Sequence, residues 1–352
     1  MTSFWQFGFA TGEPTGTDHV IKQEHYANGN LKREKWINTD NVVIYCKSWH
    51  ENGRLQEEGA FAGGLKTGYW KTFYNDGSVE KEGNFRNDVQ DKHWRFYFRN
   101  GQLQEEGPFE SGRKHGFWIG HFADGQKAYS GTYFRDQKRG WWEHFYEGGI
   151  ESEKGHYVNG NKDGFWQFYY RDGQLKEEGA YDKGVRTGFW RFFDEAGNIQ
   201  CKGKFKAGEK EDFWTDYDSN GNVAAVGAYH NGKRTGHWKF SLDGVVLREG
   251  SYANNVQEGY WTFYSTSGKK QSCGYFTAGM RNSWWQEFND NGELTAEGHY
   301  LNDKRENFWR FYRDGVLSKE GQYEAGKRVG VWKIFDETGK IRRVEEFEQV
   351  DD

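Results

Sequence analysis

The sequence predicts an all-β protein: a tandem array of about 14 β-hairpins, with a period of 24 residues, that forms one elongated, twisted antiparallel sheet. Two observations predict this. A tryptophan returns about every 24 residues, and a glycine follows it by seven residues, or by six in shorter units, often within an Asp-Gly or Asn-Gly pair. The repeated tryptophans, which we expect to form the core of the repeats, are Trp70, Trp94, Trp118, Trp142, Trp166, Trp190, Trp214, Trp238, Trp261, Trp285, Trp309 and Trp332.

Residues 68–85, GYWKTFYNDGSVEKEGNF, represent one unit. An aromatic run, an Asp-Gly pair and a shorter apolar run are typical of a hairpin with a two-residue type I′ turn, in which both turn residues have positive φ. This turn predicts the cross-strand pairs Tyr74–Val79, Lys71–Glu82, Trp70–Gly83 and Gly68–Phe85. Because side chains alternate along a strand, Trp70 and Phe85 would share one face, and Lys71 and Glu82 would form an ion pair on the other.

A second turn, which runs between two glycines four positions apart and contains Lys or Arg, is predicted to join each hairpin to the next, as from Gly112 to Gly116. Four units replace its last glycine by a polar residue, in the pairs Asp91-Lys92, Glu211-Asp212, Asn282-Ser283 and Glu306-Asn307. Two interpretations stay open. The loops either vary because they tolerate change, or they mark the rim of a binding surface.

The predicted organisation is a non-repeat N-terminal segment or cap over residues 1–21, the repeat array over 22–347 and an acidic C-terminal tail over 348–352. A single-layer sheet that carries a row of tryptophans on one face must bury that face. Either the sheet curls over itself, or a second copy or another partner covers the tryptophans.

Composition argues against several classes of function. The formal net charge is -5, with acids and bases interspersed, so no broad basic face is expected for nucleic acid. Mean hydropathy is -1.07 and no long apolar run occurs, which argues against a membrane span. Cys46, Cys201 and Cys273 form no disulfide framework, and no signal peptide is recognisable, so we expect a cytoplasmic protein.

The sequence does not favour an enzyme. Most Asp and Glu residues recur at the turn or before the strand glycine, and the eleven histidines show no metal-ligand spacing. No phosphate-binding loop, nucleophile elbow or zinc-protease motif occurs. We therefore expect no catalytic residues, no cofactor and no metal.

A second file of aromatic residues is expected on the face opposite the repeated tryptophans. Its members lie directly before each tryptophan, and three residues after it, as at Phe73 and Tyr97. Packing between neighbours along the strand would explain many of them, but rings interleaved with Lys and Arg are also typical of protein interfaces. The candidate protein-binding residues are Trp141, Trp284, Phe117, Phe165, Phe189, Tyr260 and Phe308.

The unit G-x-W-x-x-F-Y-x-D-G-x-L-x-x-E-G-x-Y-x-x-G, seen in residues 164–184 and 188–208, resembles the MORN repeat in its bacterial variant form. The resemblance implies a row of β-hairpins that serves as a scaffold. Variant-family proteins are often labelled antitoxin components, and MORN proteins more widely are linked to membrane lipids and to dimers. We therefore expect a non-enzymatic scaffold that binds a protein, with a toxin or a second copy as particular partners. The alternatives are an antitoxin or immunity protein, or a binder of membrane lipid or carbohydrate.

Overall fold

The computed structural model describes residues 13–14 and 19–348. Within them the chain forms 29 β-strands, which pair antiparallel with their neighbours in sequence order. The exception is the pair of short strands Arg113–Lys114 and Gly116–His121, which do not pair with each other and both pair with Leu103–Glu110. The predicted fold class, an all-β array of hairpins, is confirmed. The described residues contain no helix of the length and apolarity that crossing a membrane would require.

The chain divides into two compact units. Unit 1 holds residues up to 174 and 181–184, and unit 2 holds 175–180 and the residues from 185 onward, so β15 (Leu175–Asp182) contributes to both. The strands of unit 1 are β1 (His19–His25), β2 (Leu31–Asn38), β3 (Val43–Trp49), β4 (Leu55–Ala62), β5 (Leu65–Phe73), β6 (Val79–Arg86), β7 (Val89–Tyr97), β8 (Leu103–Glu110), β9 (Arg113–Lys114), β10 (Gly116–His121), β11 (Lys127–Phe134), β12 (Gln137–Phe145), β13 (Glu151–Val158) and β14 (Asn161–Tyr169).

Unit 2 continues the same alternation of long and short connections. Its strands are β16 (Val185–Phe193), β17 (Ile199–Lys206), β18 (Glu209–Tyr217), β19 (Val223–His230), β20 (Lys233–Leu242), β21 (Val245–Ala253), β22 (Val256–Tyr264), β23 (Lys270–Thr277), β24 (Met280–Phe288), β25 (Leu294–Leu301), β26 (Lys304–Arg313), β27 (Val316–Glu324), β28 (Lys327–Phe335) and β29 (Ile341–Phe347). β1 begins at His19, three residues before the predicted start of the array. Most of the predicted cap, and the tail beyond Glu348, lie outside the described residues.

The turn within a regular hairpin differs from the predicted type I′ turn. Between β5 and β6, the Gly77 amide donates to the Tyr74 carbonyl (2.9 Å), and the Tyr74 amide donates to the Ser78 carbonyl (2.8 Å). Gly77 has a φ of 89°, and Asp76 is not in the left-handed region. This is a three-residue loop in which a glycine bulge follows a type I turn. The prediction was therefore wrong beside the turn, where Phe73 rather than Tyr74 pairs with Val79.

Beyond the turn the predicted register is confirmed, because a bulge between Thr72 and Phe73 absorbs the extra residue. The observed pairs include Lys71–Glu82, Trp70–Gly83 and Gly68–Phe85. Two units that are one residue shorter keep the predicted turn, with both residues at positive φ in Asp243-Gly244 and Asp314-Gly315. Loop length thus selects the turn type.

Two-residue turns of the I′ kind also join one hairpin to the next. Ser111 and Gly112, between β8 and β9, have φ values of 52° and 76°. Gly116, which the sequence assigned to the same turn, instead lies in the strand that leads to Trp118. The predicted long connection is therefore a short turn followed by a strand with a bulge.

The bulge lies two residues before each repeated tryptophan. Gly59 pairs with Trp70 and Ala60 pairs with Thr67, so Gly68 and its neighbour Tyr69 are inserted relative to β4. At all twelve units the residue at this position has a φ between 57° and 79°. It is glycine in eight units, and in the other four it is Lys92, Asp212, Ser283 or Asn307.

Lys92→Gly is expected to stabilise the hairpins around β7. Lys92 is exposed and holds a φ of 61°, a conformation that costs a residue with a Cβ about 1 to 2 kcal/mol. Glycine removes that cost and loses part of the gain to its greater freedom when unfolded, which leaves about 0.5 to 1 kcal/mol. Thermal unfolding measures the change. Asn307→Gly should give a smaller gain because asparagine tolerates this conformation, and a fall in melting temperature for Lys92→Gly would contradict the assignment of strain.

Each repeated tryptophan is seated on a glycine of the preceding strand. A Cβ on Gly59 would lie 2.3 Å from Cδ2 of Trp70, and the seats of the other eleven tryptophans are equally close. The indole N–H donates to the carbonyl that follows the seat glycine, as from Trp70 to Ala60 (3.0 Å). Trp70 pairs with Gly83, as predicted, but its own ring does not cover that glycine. The indole that covers Gly83 belongs to Trp94.

Two further groups enclose the indoles. Phe85 lies between Trp70 and Trp94 and meets both edge to face, at centroid distances of 6.1 and 4.9 Å. Above the ring, a cation lid is formed by the basic residue four positions before the tryptophan, at 4.0 to 5.9 Å from the ring centre. Its members are Lys66, Lys114, Lys138, Lys162, Arg186, Lys210, Arg234, Arg281, Arg305 and Arg328.

As a result, the twelve repeated tryptophans are only 0 to 3% exposed. The chain buries these rings with its own side chains, so burial of the tryptophan face does not require the covering copy or partner that the sequence analysis considered.

His144→Phe is expected to reduce the loss of stability in acid. Burial, and then the nearby Lys138, lower the pKa of His144 from 6.5 to about 4, while Glu153 opposes the shift and Lys162 adds to it. The unfolded chain takes up this proton below about pH 6.5, whereas the folded chain resists it down to about pH 4, so stability falls across that window. Phenylalanine, as at the equivalent Phe168, has no proton to take up.

Melting temperatures between pH 7 and pH 4.5 test this prediction. The fall in melting temperature on acidification should be smaller in His144→Phe than in the wild type. In His156→Phe, an exposed control in the next strand, it should equal the fall in the wild type. Equal falls in the wild type and in His144→Phe would contradict it.

Candidate protein-binding surface

The residue directly before each repeated tryptophan points to the opposite face of the sheet. We call this set the ring column; it consists of Tyr69, His93, Phe117, Trp141, Phe165, Phe189, Phe213, His237, Tyr260, Trp284, Phe308 and Val331. Nothing in the described residues forms a second layer over the strands of either unit. The bulge sets the position of the column, because each ring-column residue is the second of the two residues inserted at the bulge.

All seven candidate binding residues lie in the ring column and are exposed, from 38% at Trp284 to 60% at Phe117. The structure adds two exposed members that the sequence analysis did not name, Val331 at 53% and Phe213 at 71%. Both stand directly before a repeated tryptophan, so the same spacing could have found them.

The aromatic residues three positions after each tryptophan behave differently. They are half-buried, and several tyrosine hydroxyls donate to glutamates on the same face, as Tyr97 does to Glu82 (2.6 Å) and Tyr264 to Glu249 (2.9 Å). Burial, followed by the bond to Glu249, raises the pKa of the Tyr264 hydroxyl. Packing along the strand therefore accounts for these rings, and of the two predicted sets of aromatic positions only the ring column contains exposed rings.

A charge row runs beside the ring column. It is formed by the residue after each tryptophan and the residue before each seat glycine, which pair across strands. In the next unit, Arg95 and Glu106 form an ion pair at 3.1 Å. Hydrogen bonds from His93 and then Arg95, against the opposing effect of burial, lower the pKa of Glu106 to about 2. Ion pairs of this exposure contribute at most about 1 kcal/mol each, so they serve mainly to set the register.

A shallow groove separates the last two members of the ring column. It lies between Phe308 and Val331 and has a volume of about 340 Å³, and Glu320, Gln322 and Lys333 also line it. Members recur on every second strand, so neighbours within a unit are about 9.5 Å apart. This groove thus offers an apolar wall on either side of a polar floor.

Three of the four irregular loops make side-chain contacts of a structural kind. In two of them the acidic side chain three positions before the tryptophan binds the next turn: Glu211 accepts a hydrogen bond from the Asn231 amide (2.9 Å), and Glu306 accepts one from the Ala325 amide (2.8 Å). Asp91 is buried and binds the Arg86 guanidinium. These contacts favour a role in stacking turns over a role as a binding rim.

The described residues bring together no group of three or more His, Cys, Asp or Glu side chains that could hold a metal ion. Cys46, Cys201 and Cys273 are free thiols, and Cys46 and Cys273 are buried. Burial raises the pKa of the Cys46 and Cys201 thiols, which disfavours the reactive thiolate.

These features define a class of protein: an antiparallel array of β-hairpins in which twelve tryptophans are each seated on a glycine of the preceding strand. The family model of the MORN repeat variant matches residues 66–87, 90–111, 162–183 and 328–349. Each match begins at the lid position, four residues before a repeated tryptophan. These segments are therefore MORN repeats of the variant type, and the resemblance seen in the sequence is confirmed.

No curated protein matches the chain. Solved structures that match include TcdB2-TccC3-Cdc42, at 10% sequence identity and a TM-score of 0.17, and TcdB2-TccC3-TEV, at 10% identity and a TM-score of 0.13. The matches cover 94% and 90% of this chain, and 20% and 22% of those chains. This chain thus spans about a fifth of the length of the structures that it matches.

Proposed function

We propose that this chain is a non-enzymatic scaffold that binds a protein partner through the ring column. One observation carries the proposal. Nine apolar side chains of the column are 38 to 71% exposed, whereas the tryptophan that follows each of them is almost completely buried. Apolar side chains exposed in register on one face favour association, because a partner that covers them removes their surface from water.

The surroundings of the column support a protein partner. Rings beside Arg and Lys are enriched where interfaces derive most of their binding energy. Arg310 lies 5.8 Å from the ring centre of Phe308, and Arg95 and Arg191 flank other members of the column. An interface of standard size buries about 800 Å² on each partner, which several consecutive hairpins can supply.

Trp141→Ala/Trp284→Ala tests the proposal. Affinity purification from cells that produce the protein identifies proteins held by the wild type, and titration with the purified partner measures the loss. We expect affinity to fall by about 30-fold or more, as for a buried aromatic anchor, with little change in melting temperature. The matched control is Val89→Ala/Val256→Ala, which alters residues of similar exposure away from the column.

Two outcomes would contradict the proposal. In one, the folded double variant binds every partner as tightly as the wild type does. In the other, the control variant loses the same partners to the same extent.

A further inference from the structure

One cross-strand pair, or rung, of the charge row departs from the pattern of the other pairs. In β16 and β17, Arg191 lies directly opposite Lys202. Directly opposed like charges destabilise a sheet. Among the cross-strand pairs described for this row, no other joins two like charges; typical rungs are Lys71–Glu82, Arg95–Glu106, Lys239–Glu249 and Arg310–Glu320.

The neighbours of Lys202 do not compensate for its charge. Thr215 is its partner on the other side, in β18, and no ion pair to Lys202 forms within the described residues. Its Nζ lies 5.3 Å from the ring centre of Tyr217. Lys154 is also a lysine at the usual glutamate position, but there Glu143 faces it, so the signs are only exchanged.

Arg191 and Lys204 extend this basic site. The Arg191 guanidinium is half-exposed and is bound on one side by the buried carboxylate of Glu178. Lys204, also on β17, is paired with the exposed Asp212 at 2.8 Å. Lys202 is therefore the uncompensated charge of the group, with a second cation directly opposite it.

Two of the most exposed rings of the column flank the site. Phe189 on β16 and Phe213 on β18 are 57% and 71% exposed, and Lys202 and Lys204 lie on the strand between them. The two rings are about 9.5 Å apart, the width of two strand spacings. Lys204 lies opposite Phe189, and Lys202 lies two residues earlier on β17, opposite Arg191.

We propose that this β16–β18 patch anchors an acidic segment of the protein partner. A carboxylate of the partner binds between Lys202 and Arg191, and apolar side chains on either side of it pack on Phe189 and Phe213. The inference rests on the proposed function and specifies the chemistry of its partner. It explains why the chain keeps a repulsive rung here, since a bound carboxylate converts the repulsion into two attractive contacts.

The same observations disfavour other anionic partners. The binding of a nucleic acid or an anionic bilayer increases with the number of cations on a surface. Here a single cation is uncompensated, and the two cations near it, Arg191 and Lys204, are already paired with Glu178 and Asp212. One carboxylate flanked by apolar groups fits this charge better.

Lys202→Glu gives the sharpest test, because binding and stability should change in opposite directions. The substitution places a glutamate opposite Arg191, as in other repeats, so the melting temperature should rise or stay the same. Peptides of 12 residues, selected from a random displayed library on the full chain, serve as the probe. We expect the selected peptides to carry Asp or Glu between apolar residues and to bind Lys202→Glu at least 10-fold more weakly.

Three control variants complete the experiment. Lys202→Arg keeps the charge and should keep the binding. Lys233→Glu makes the same change in net charge at the exposed first residue of β20 and should bind as the wild type does. Phe189→Ser/Phe213→Ser removes the rings and should lose the selected peptides.

The outcomes separate the two proposals. Peptides that bind the wild type and Lys202→Glu equally, but are lost from Phe189→Ser/Phe213→Ser, would overturn the acidic anchor and leave the proposed function standing. Peptides that bind all variants equally would overturn both. Binding of phosphatidylserine vesicles that Lys202→Glu abolishes would assign the patch to a membrane and overturn the protein partner.

Discussion

Trp118→Ala is expected to lower the free energy of unfolding of the surrounding hairpins by about 3 to 5 kcal/mol. The Trp118 side chain is fully buried, and its indole N–H donates to the Pro108 carbonyl at 3.0 Å. Phe109 meets the ring edge to face at 5.1 Å, and the Lys114 ammonium lies 4.0 Å from its centre. Alanine would leave a cavity between these groups, and the Pro108 carbonyl would keep only the hydrogen bond from the His115 amide (2.9 Å).

Hydrogen exchange of the amides in β8 to β11 measures this loss locally, which matters because a repeat array can open in parts. Trp118→Phe should fall between the wild type and Trp118→Ala, since it keeps a ring and loses the N–H. Wild-type protection of β8 to β11 in Trp118→Ala would contradict the assignment of the core.

Gly227→Ala is expected to lower the free energy of unfolding by about 3 kcal/mol or more. Gly227 is the seat of Trp238, and a Cβ there would lie 2.2 Å from Cδ2 of the indole. Its φ is not left-handed, so the cost arises from crowding alone: the added methyl must displace a ring that is packed on all sides.

Gly244→Ala is the matched control. Gly244 has a φ of 81° and no atom within 4 Å of its would-be Cβ, so only backbone strain of about 1 kcal/mol is expected. Chemical denaturation of the two variants gives the comparison. The double variant Gly227→Ala/Trp238→Ala should lose less stability than the two single variants lose in total, because removing the indole relieves the crowding. If Gly244→Ala were destabilised more than Gly227→Ala, that result would contradict the assignment of Gly227 as the seat of Trp238.

The sequence was sufficient to predict the hairpins and most of their register. The period fixes which strands pair, and the glycine opposite each tryptophan fixes how they align, so the Lys71–Glu82 pair could be placed before the structure was known. The turn could not be assigned from Asp-Gly alone. Asp76-Gly77 and Asp243-Gly244 have the same letters, and only the extra residue in the longer unit changes the turn from type I′ to a type I turn with a bulge.

The bulge was missed because its glycine was assigned to a turn. Gly116 stands four residues after Gly112, and the two together resemble one long connection. The same error concealed the cation lid: Lys114 and its equivalents were counted as turn residues, although a basic side chain recurs four positions before ten of the twelve tryptophans.

The candidate surface was easier to predict, because alternation along a strand places neighbours on opposite faces. Trp141 and Trp142 differ by one residue, and one is 52% exposed while the other is fully buried. The opposition of Arg191 and Lys202 follows from the predicted register and was within reach of the sequence. The exposure of Phe213 needed only the spacing that identified Phe117.

We propose that one face of the sheet provides stability and the other provides binding. Trp141→Ala and Trp142→Ala test it most directly, when melting temperature and affinity for a purified partner are measured on both. We predict that Trp142→Ala loses about 3 to 5 kcal/mol of stability, and that Trp141→Ala loses less than about 0.5 kcal/mol while its affinity for the partner falls at least 10-fold. Equal destabilisation by the two variants, or wild-type affinity in Trp141→Ala, would contradict the division between the faces.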